Sequence, residues 1–152
     1  LQALCRHHHT SVGYVKPHGA LYNDMMANID VFNAVAQAVA EFNIPLMILS
    51  SSDNQQYLDI ADDHDLPLLF EAFADRAYLN NGQLSPRTQK GSVYVNQDDI
   101  YNQVMQIINY GSVTTIEGER LPIEADTICV HGDNPQSIAL IRKIRQDLNA
   151  FN

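Results

Sequence analysis

Short apolar segments alternate with amphipathic segments along most of this 152-residue chain. Four segments are brief, rich in Val, Ile and Leu, and typical of strands buried on both faces: residues 12–16, 45–49, 67–72 and 126–130. Four amphipathic segments are predicted as helices: residues 31–42, 55–64, 100–110 and 136–148. Strand–helix repetition predicts an α/β fold, with helices packed on a parallel sheet that is either doubly wound or barrel-type.

Side chains that can cap a helix precede each predicted helix. We expect Asp30 to cap the first and Asp53 the second, while Asp98 or Asp99 opens the third. Asn134-Pro135 opens the last, with proline in the first turn. Residues 113–123 depart from the strand–helix pattern, because Glu117-Gly118 lies between two short β-like runs and predicts a hairpin.

Four strands make a poor complete sheet, because an open sheet this short leaves its edges and one apolar face exposed. A full α/β barrel takes about 250 residues, and this chain begins at Leu1 without a methionine. We therefore expect residues 1–152 to be a single domain that forms the C-terminal portion of a larger barrel. We expect such a piece to self-associate.

Charge and apolar run length exclude two classes of partner. A formal net charge of -9 disfavours nucleic acid and anionic membranes, which require a basic surface. No apolar run approaches the roughly 20 residues that span a bilayer. The two cysteines are Cys5 and Cys129, and the latter lies in an apolar run where a buried, reduced thiol is expected. We therefore expect a cytoplasmic protein.

Polar clusters follow three of the four predicted strands: residues 16–23, 71–78 and 131–135. In α/β folds ligands bind beyond the carboxyl ends of the strands. Each cluster alone has an ordinary explanation, such as an edge lysine, a surface ion pair or a helix cap. Their joint placement favours a functional site built from charged and imidazole groups: Lys16, His18, Asp75, Arg76 and His131.

One further arginine lies in a loop that follows the second of these clusters. Arg87 comes directly after Ser85-Pro86, where a guanidinium would be placed to clamp a carboxylate. No G-x-x-x-x-G-K-[ST] or G-x-G-x-x-G motif occurs in the chain, so a P-loop and a dinucleotide fingerprint are excluded from it.

Three long stretches resemble the LamB/YcsF family: VKPHGALYN (residues 15–23), FADRAYLNNGQLSPR (73–87) and CVHGDNP (129–135). The resemblance implies part of a distorted (β/α) barrel related to the sugar and polysaccharide deacetylases. It also implies ATP-dependent hydrolysis of 5-oxo-L-proline, a lactam, to L-glutamate, in concert with two partner subunits of a 5-oxoprolinase. ATP, with magnesium, is then the expected cofactor, and the resemblance does not imply a particular protein-bound metal.

Roles follow from this implied chemistry. Lys16 would bind a phosphate or the developing oxyanion. Either His18 or His131 would be the general acid or base, and Asp75 would position water or a proton. Arg76 or Arg87 would hold the substrate carboxylate. The expected substrate-binding residues are Lys16, Tyr22, Arg76, Arg87 and Asp133.

Two other classes of function stay open. The first is a metal-dependent deacetylase-like hydrolase of a small amide or sugar, which would use His18, Asp75 and His131 together with ligands from outside this chain. Stoichiometric zinc or cobalt in the whole protein would favour it. The second is a non-catalytic subunit that binds substrate and delivers it to its partners. Ligand binding that survives loss of Asp75 and His131 would favour that function.

Overall fold

A computed structural model describes residues 1–132 and 135–150, without the side chains of residues 135–137 and 150. By its internal contacts the chain divides into two compact units. The first comprises residues 1–49 and 53–70, and the second comprises residues 50–52 and 71–152. That residues 1–152 form a single domain stays a prediction.

The first unit is mainly helical and contains one complete strand. Its elements are α1 (Gln2–His7), α2 (Ala20–Ala27), α3 (Ile29–Ala40), β1 (Leu46–Leu49) and α4 (Gln55–Asp63), followed by the start of β2 (Leu68–Phe73). All four residues of β1 are buried. The backbone N–H of Leu46 donates to Pro67 O at 3.0 Å, beside the start of β2. Phe32 and Tyr57, both buried, pack edge to face with ring centroids 4.9 Å apart.

The predicted strand at residues 12–16 is wrong. Only Val15 forms a bridge, parallel to Leu46, with its N–H donating to Pro45 O and its carbonyl accepting from Met47 N–H. Gly13 and Tyr14 on its N-terminal side are exposed, so the apolar run has no burial to sustain a longer strand.

The predicted helices form, but three of them begin earlier than expected. α3 begins at Ile29 because Asn28 accepts the N–H of Asp30 at 2.9 Å, so Asp30 lies within the first turn and is not the cap. In the second unit Asn96 accepts the N–H of Asp98 at 3.0 Å and opens α5 (Gln97–Tyr110). α6 spans Pro135–Ala150, with proline in its first turn as predicted, and Asn134, which was expected to open this helix, lies outside the described residues.

The second unit completes a parallel pair and carries the hairpin. The end of β2 pairs in parallel with β5 (Thr127–Cys129), matching Glu71 to Thr127 and Phe73 to Cys129. β3 (Ser112–Thr114) and β4 (Arg120–Pro122) are antiparallel, which confirms the predicted hairpin. A buried cluster from α5, α6 and the residue that follows β2 contributes to its core: Ala74, Ile100, Val104, Leu140 and Ile144. The predicted α/β class, with parallel strands, helices and one hairpin, is confirmed.

Two composition-based expectations have structural counterparts. Cys5 and Cys129 are both free thiols, and each is half-buried, so the full burial expected of Cys129 is wrong. None of the helices in the described part of the chain has the length and apolar character that crossing a bilayer requires.

Candidate functional site

Asp75 and His131 meet where two parallel strands end. Phe73 and Cys129 are register partners at the ends of β2 and β5. Asp75 and His131 each lie two residues beyond these partners, so they lie on the same side of the sheet. The Asp75 Oδ2 atom is 2.7 Å from His131 Nδ1 and 3.4 Å from the His131 backbone nitrogen. Neighbouring strand ends thus bring a carboxylate and an imidazole into direct hydrogen-bond contact.

The two members of this pair differ in exposure. The Asp75 side chain is 10% exposed and that of His131 is 33% exposed. The ring of Phe73 stacks on the imidazole, with centroids 6.0 Å apart and planes at 22°. An ionised carboxylate only accepts hydrogen bonds, so a neutral imidazole in this contact has its proton on Nδ1 and its lone pair on Nε2. Buried carboxylate and stacked ring therefore fix the imidazole with one nitrogen available to act.

The second carboxylate oxygen of Asp75 accepts no hydrogen bond from the described residues. Asp75 Oδ1 is buried and has no hydrogen-bond partner among the described residues, whereas Oδ2 serves His131. Buried carboxylate oxygens are normally hydrogen-bonded. The free oxygen is therefore a position at which a donor from substrate or water would be bound.

Gln103 fixes the backbone on which Asp75 is carried. This side chain lies on α5, is 5% exposed, and donates from its Nε2 atom to three carbonyl oxygens. They belong to Phe73 at 2.7 Å, Ala74 at 3.2 Å and Arg76 at 2.9 Å. The sequence interpretation missed Gln103. Its signal was a polar residue on the buried face of an amphipathic helix, between Ile100 and Val104.

Arg76 binds the loop that carries Arg87. The Arg76 side chain is buried, and its Nε donates to Ser92 O at 3.3 Å while its Nη2 donates to Ser85 O at 2.6 Å. Burial and the nearby positive charge of Arg87 lower the pKa of Arg76, and Asp75 acts in the opposite direction. Arg87 itself is exposed. That either arginine holds a substrate carboxylate stays a prediction.

Tyr78 supports the same strand end from within the core. The side chain is fully buried, and its hydroxyl oxygen accepts the backbone N–H of Phe73 at 2.8 Å. Burial raises the pKa of Tyr78, and the charge of Glu71 adds to the rise. The phenol therefore stays neutral and acts as a fixed hydrogen-bond partner rather than as an acid.

The remaining predicted site residues lie in the first unit or outside the described residues. Lys16 is half-buried, with its Nζ 5.8 Å from the ring centroid of the buried Tyr22. His18 is exposed, one residue before Gly19, where α2 is capped. Asp133 lies outside the described residues. That these groups join Asp75 and His131 in one site stays a prediction.

Comparison with known proteins identifies the family. The model of the LamB/YcsF family matches residues 1–152. The chain belongs to the LamB/YcsF family. Among curated relatives, a 5-oxoprolinase subunit from Vibrio vulnificus (strain CMCP6) is 62% identical over 146 residues, 96% of this chain and 59% of the relative. The corresponding 5-oxoprolinase subunit from Vibrio cholerae (strain M66-2) is 58% identical over 98% of this chain and 61% of the relative.

A solved structure shows the same fold. The crystal structure of a lactam utilization protein from Thermus thermophilus matches 97% of this LamB/YcsF chain with a TM-score of 0.84 and 30% sequence identity. This agrees with the predicted TIM-barrel-like α/β fold. The match covers 59% of that chain, so the LamB/YcsF chain spans about three-fifths of the length of these relatives.

In the described part of the second unit, the groups suited to chemistry include the His131 imidazole, the free Asp75 oxygen and the guanidinium groups of Arg76 and Arg87. An imidazole held by a carboxylate transfers protons at neutral pH. Guanidinium groups bind carboxylates or phosphates. Among the described residues, no group of three or more His, Cys, Asp or Glu side chains is placed to hold a metal ion. The imidazole beside Asp75 can therefore support proton transfer, and the exposed guanidinium of Arg87 can bind an anion.

Proposed function

We propose that this LamB/YcsF protein acts as one subunit of a 5-oxoprolinase and takes part in opening the lactam ring of 5-oxo-L-proline to give L-glutamate. The observation that carries the proposal is the contact of 2.7 Å between Asp75 and His131. Hydrolysis of a lactam requires a proton to leave water and a proton to reach the departing nitrogen, and an oriented imidazole can accept the first and deliver it to the nitrogen. The names of the curated relatives support the same function.

ATP belongs to the proposal because a lactam is resonance-stabilised and must be activated before water can open it. Phosphorylation of the lactam oxygen, addition of water to the same carbon, cleavage of the C–N bond and hydrolysis of the resulting acyl phosphate give glutamate, ADP and phosphate. We propose that ATP is used with magnesium. We also propose that two further subunits complete the enzyme, since the relatives are themselves named as one subunit of a 5-oxoprolinase.

We also propose that the protein is cytoplasmic, where its two free thiols would remain reduced.

The proposed roles follow the geometry of the second unit. His131 Nε2 would accept a proton from water and return it to the ring nitrogen, while Asp75 holds Nδ1–H and stabilises the imidazolium. Arg87, exposed on its loop, would contact the substrate carboxylate, with Arg76 as the alternative. Lys16, His18, Tyr22 and Asp133 keep their predicted roles in binding or proton transfer.

The test is glutamate release from 5-oxoproline and ATP by the whole protein combined with its two partner subunits. Asp75→Ala and His131→Ala should each lower kcat by about 10²–10⁴-fold, the contribution of a positioned acid or base. His8→Ala is the matched control, because His8 is exposed at the end of α1. Circular dichroism and thermal unfolding would establish that each variant is folded.

The outcomes separate the candidate functions. Near-normal turnover in both folded variants would refute the assignment of Asp75 and His131. Absence of glutamate release from folded wild-type subunits would refute the 5-oxoprolinase proposal and favour the deacetylase-like hydrolase. Zinc and cobalt analysis of the whole protein would then test that alternative.

A further inference from the structure

We propose that Gln103 is the positioning residue of the Asp75–His131 pair, a role that rests on the proposed function. Residues 73–76, here called the Asp75 turn, contain four consecutive backbone carbonyls. The Gln103 amide nitrogen binds three of them, and the fourth, that of Asp75, accepts the backbone N–H of Tyr94 at 2.9 Å. Every carbonyl of the turn therefore has a donor, and one side chain supplies most of them.

The geometry makes Gln103 hard to replace. An amide nitrogen has two hydrogens, so three acceptors can be served only if they converge on one point and share them. The three distances, 2.7, 3.2 and 2.9 Å, show that they do converge. The backbone N–H of Ala74 is held separately by Cys129 O at 2.9 Å. The Asp75 turn is therefore held by two elements: β5 accepts a backbone N–H of the turn, and Gln103 donates to its carbonyls.

Asp75 depends on this backbone for its contact with His131. Its Oδ2 atom lies 2.7 Å from Nδ1, and a hydrogen bond of this kind weakens beyond roughly 3.2 Å. A shift of about 0.5 Å in the turn would weaken the contact and allow the imidazole to populate its other tautomer. Among the described residues, Gln103 donates to the backbone of residues 73, 74 and 76 and makes no hydrogen bond to His131, so its effect on catalysis would act through Asp75.

The central variant is Gln103→Met, which keeps the length and shape of the side chain but removes the donor. Gln106→Met is the matched control, since Gln106 lies on the same helix, is only half-buried, and uses its Oε1 to accept from Thr114 Oγ1 at 3.1 Å. In the complete enzyme we expect Gln103→Met to lower kcat by about 10–100-fold with little change in KM. The control should stay within about twofold of wild type, the usual range for a surface change.

Nitrogen NMR of the histidine-labelled whole protein supplies a readout that loss of stability alone would not move. In wild type His131 should show a protonated Nδ1 and an unprotonated Nε2, as its contact with Asp75 requires. In folded Gln103→Met the signals should shift toward a mixture of tautomers. They should stay unchanged in the Gln106→Met control.

Each outcome has a defined meaning. Unchanged His131 signals in folded Gln103→Met would overturn the positioning role, even if turnover fell. If Gln103→Met does not fold, Gln103→Asn is measured in its place, because it keeps an amide that is one methylene too short to reach all three carbonyls. Wild-type His131 signals there would equally overturn the role. If the wild-type enzyme releases no glutamate, the proposed function fails, while the NMR comparison still tests Gln103.

Discussion

Replacing Tyr78 with phenylalanine removes one oxygen atom from the core beneath the candidate site. The phenol is fully buried, and its oxygen is the acceptor for Phe73 N–H at 2.8 Å. Phenylalanine fills nearly the same space, so the main cost is loss of one hydrogen-bond acceptor for a buried N–H, about 1–3 kcal/mol. A small protein loses about 1–3 kcal/mol of stability per molar urea, so the unfolding midpoint should fall by about 1 M.

Equilibrium urea unfolding followed by circular dichroism measures this shift. Tyr14→Phe is the matched control, because Tyr14 is 49% exposed and its hydroxyl has no described hydrogen-bond partner. Its midpoint should stay at the wild-type value. A Tyr78→Phe midpoint that matches the control would refute the argument that this hydroxyl supports the end of β2.

Alkaline pH adds a second test of the same hydroxyl. Burial raises the folded-state pKa of Tyr78 above the usual value of about 10. Since the folded state holds this proton more tightly than the unfolded state, the contribution to stability is complete below about pH 10 and is lost as pH rises further. Wild type should therefore lose more stability than Tyr78→Phe between neutral pH and about pH 11. Equal losses in the two proteins would contradict this reasoning.

Two backbone features give further predictions. Gly82 has φ +83°, and a Cβ there would lie 3.1 Å from Ser51 Cβ and 3.2 Å from Ser52 N. Gly82→Ala should cost about 1–3 kcal/mol in thermal unfolding, whereas Gly13→Ala, with nothing within 4 Å, should cost far less. Asn96→Ala should cost about 0.5–2 kcal/mol by removing the cap of α5, and an unchanged Tm would show that the cap is not needed.

Much of the fold could be predicted from the sequence because burial and capping leave local patterns. The β-hairpin near Gly118 and the parallel arrangement of β2 and β5 followed from turn chemistry and apolar runs. The strand at residues 12–16 was wrong because an apolar run does not reveal whether a neighbour covers it. The first helical residues were also missed, since Asn28 and Asn96 cap from positions ahead of the aspartates.

The candidate site could be predicted in part. Placement after neighbouring strands indicated that Asp75 and His131 belong together, and they are in contact. Gln103 could not be found this way, because its partners are backbone carbonyls, which leave no trace in the identity of residues 73–76. The Arg76 contacts with two loop carbonyls were hidden for the same reason.

Those Arg76 contacts have a consequence for how the loop can change. The Arg76 guanidinium donates hydrogen bonds to the carbonyl oxygens of Ser85 and Ser92, which are both buried. These two bonds hold the two ends of the loop. Every residue type has a backbone carbonyl. The two Arg76 hydrogen bonds therefore do not require particular side chains at residues 86 to 91, and they should survive changes of side chain in that segment. If Arg87 contacts the substrate carboxylate as proposed, moving it within this segment should change substrate binding without breaking those bonds.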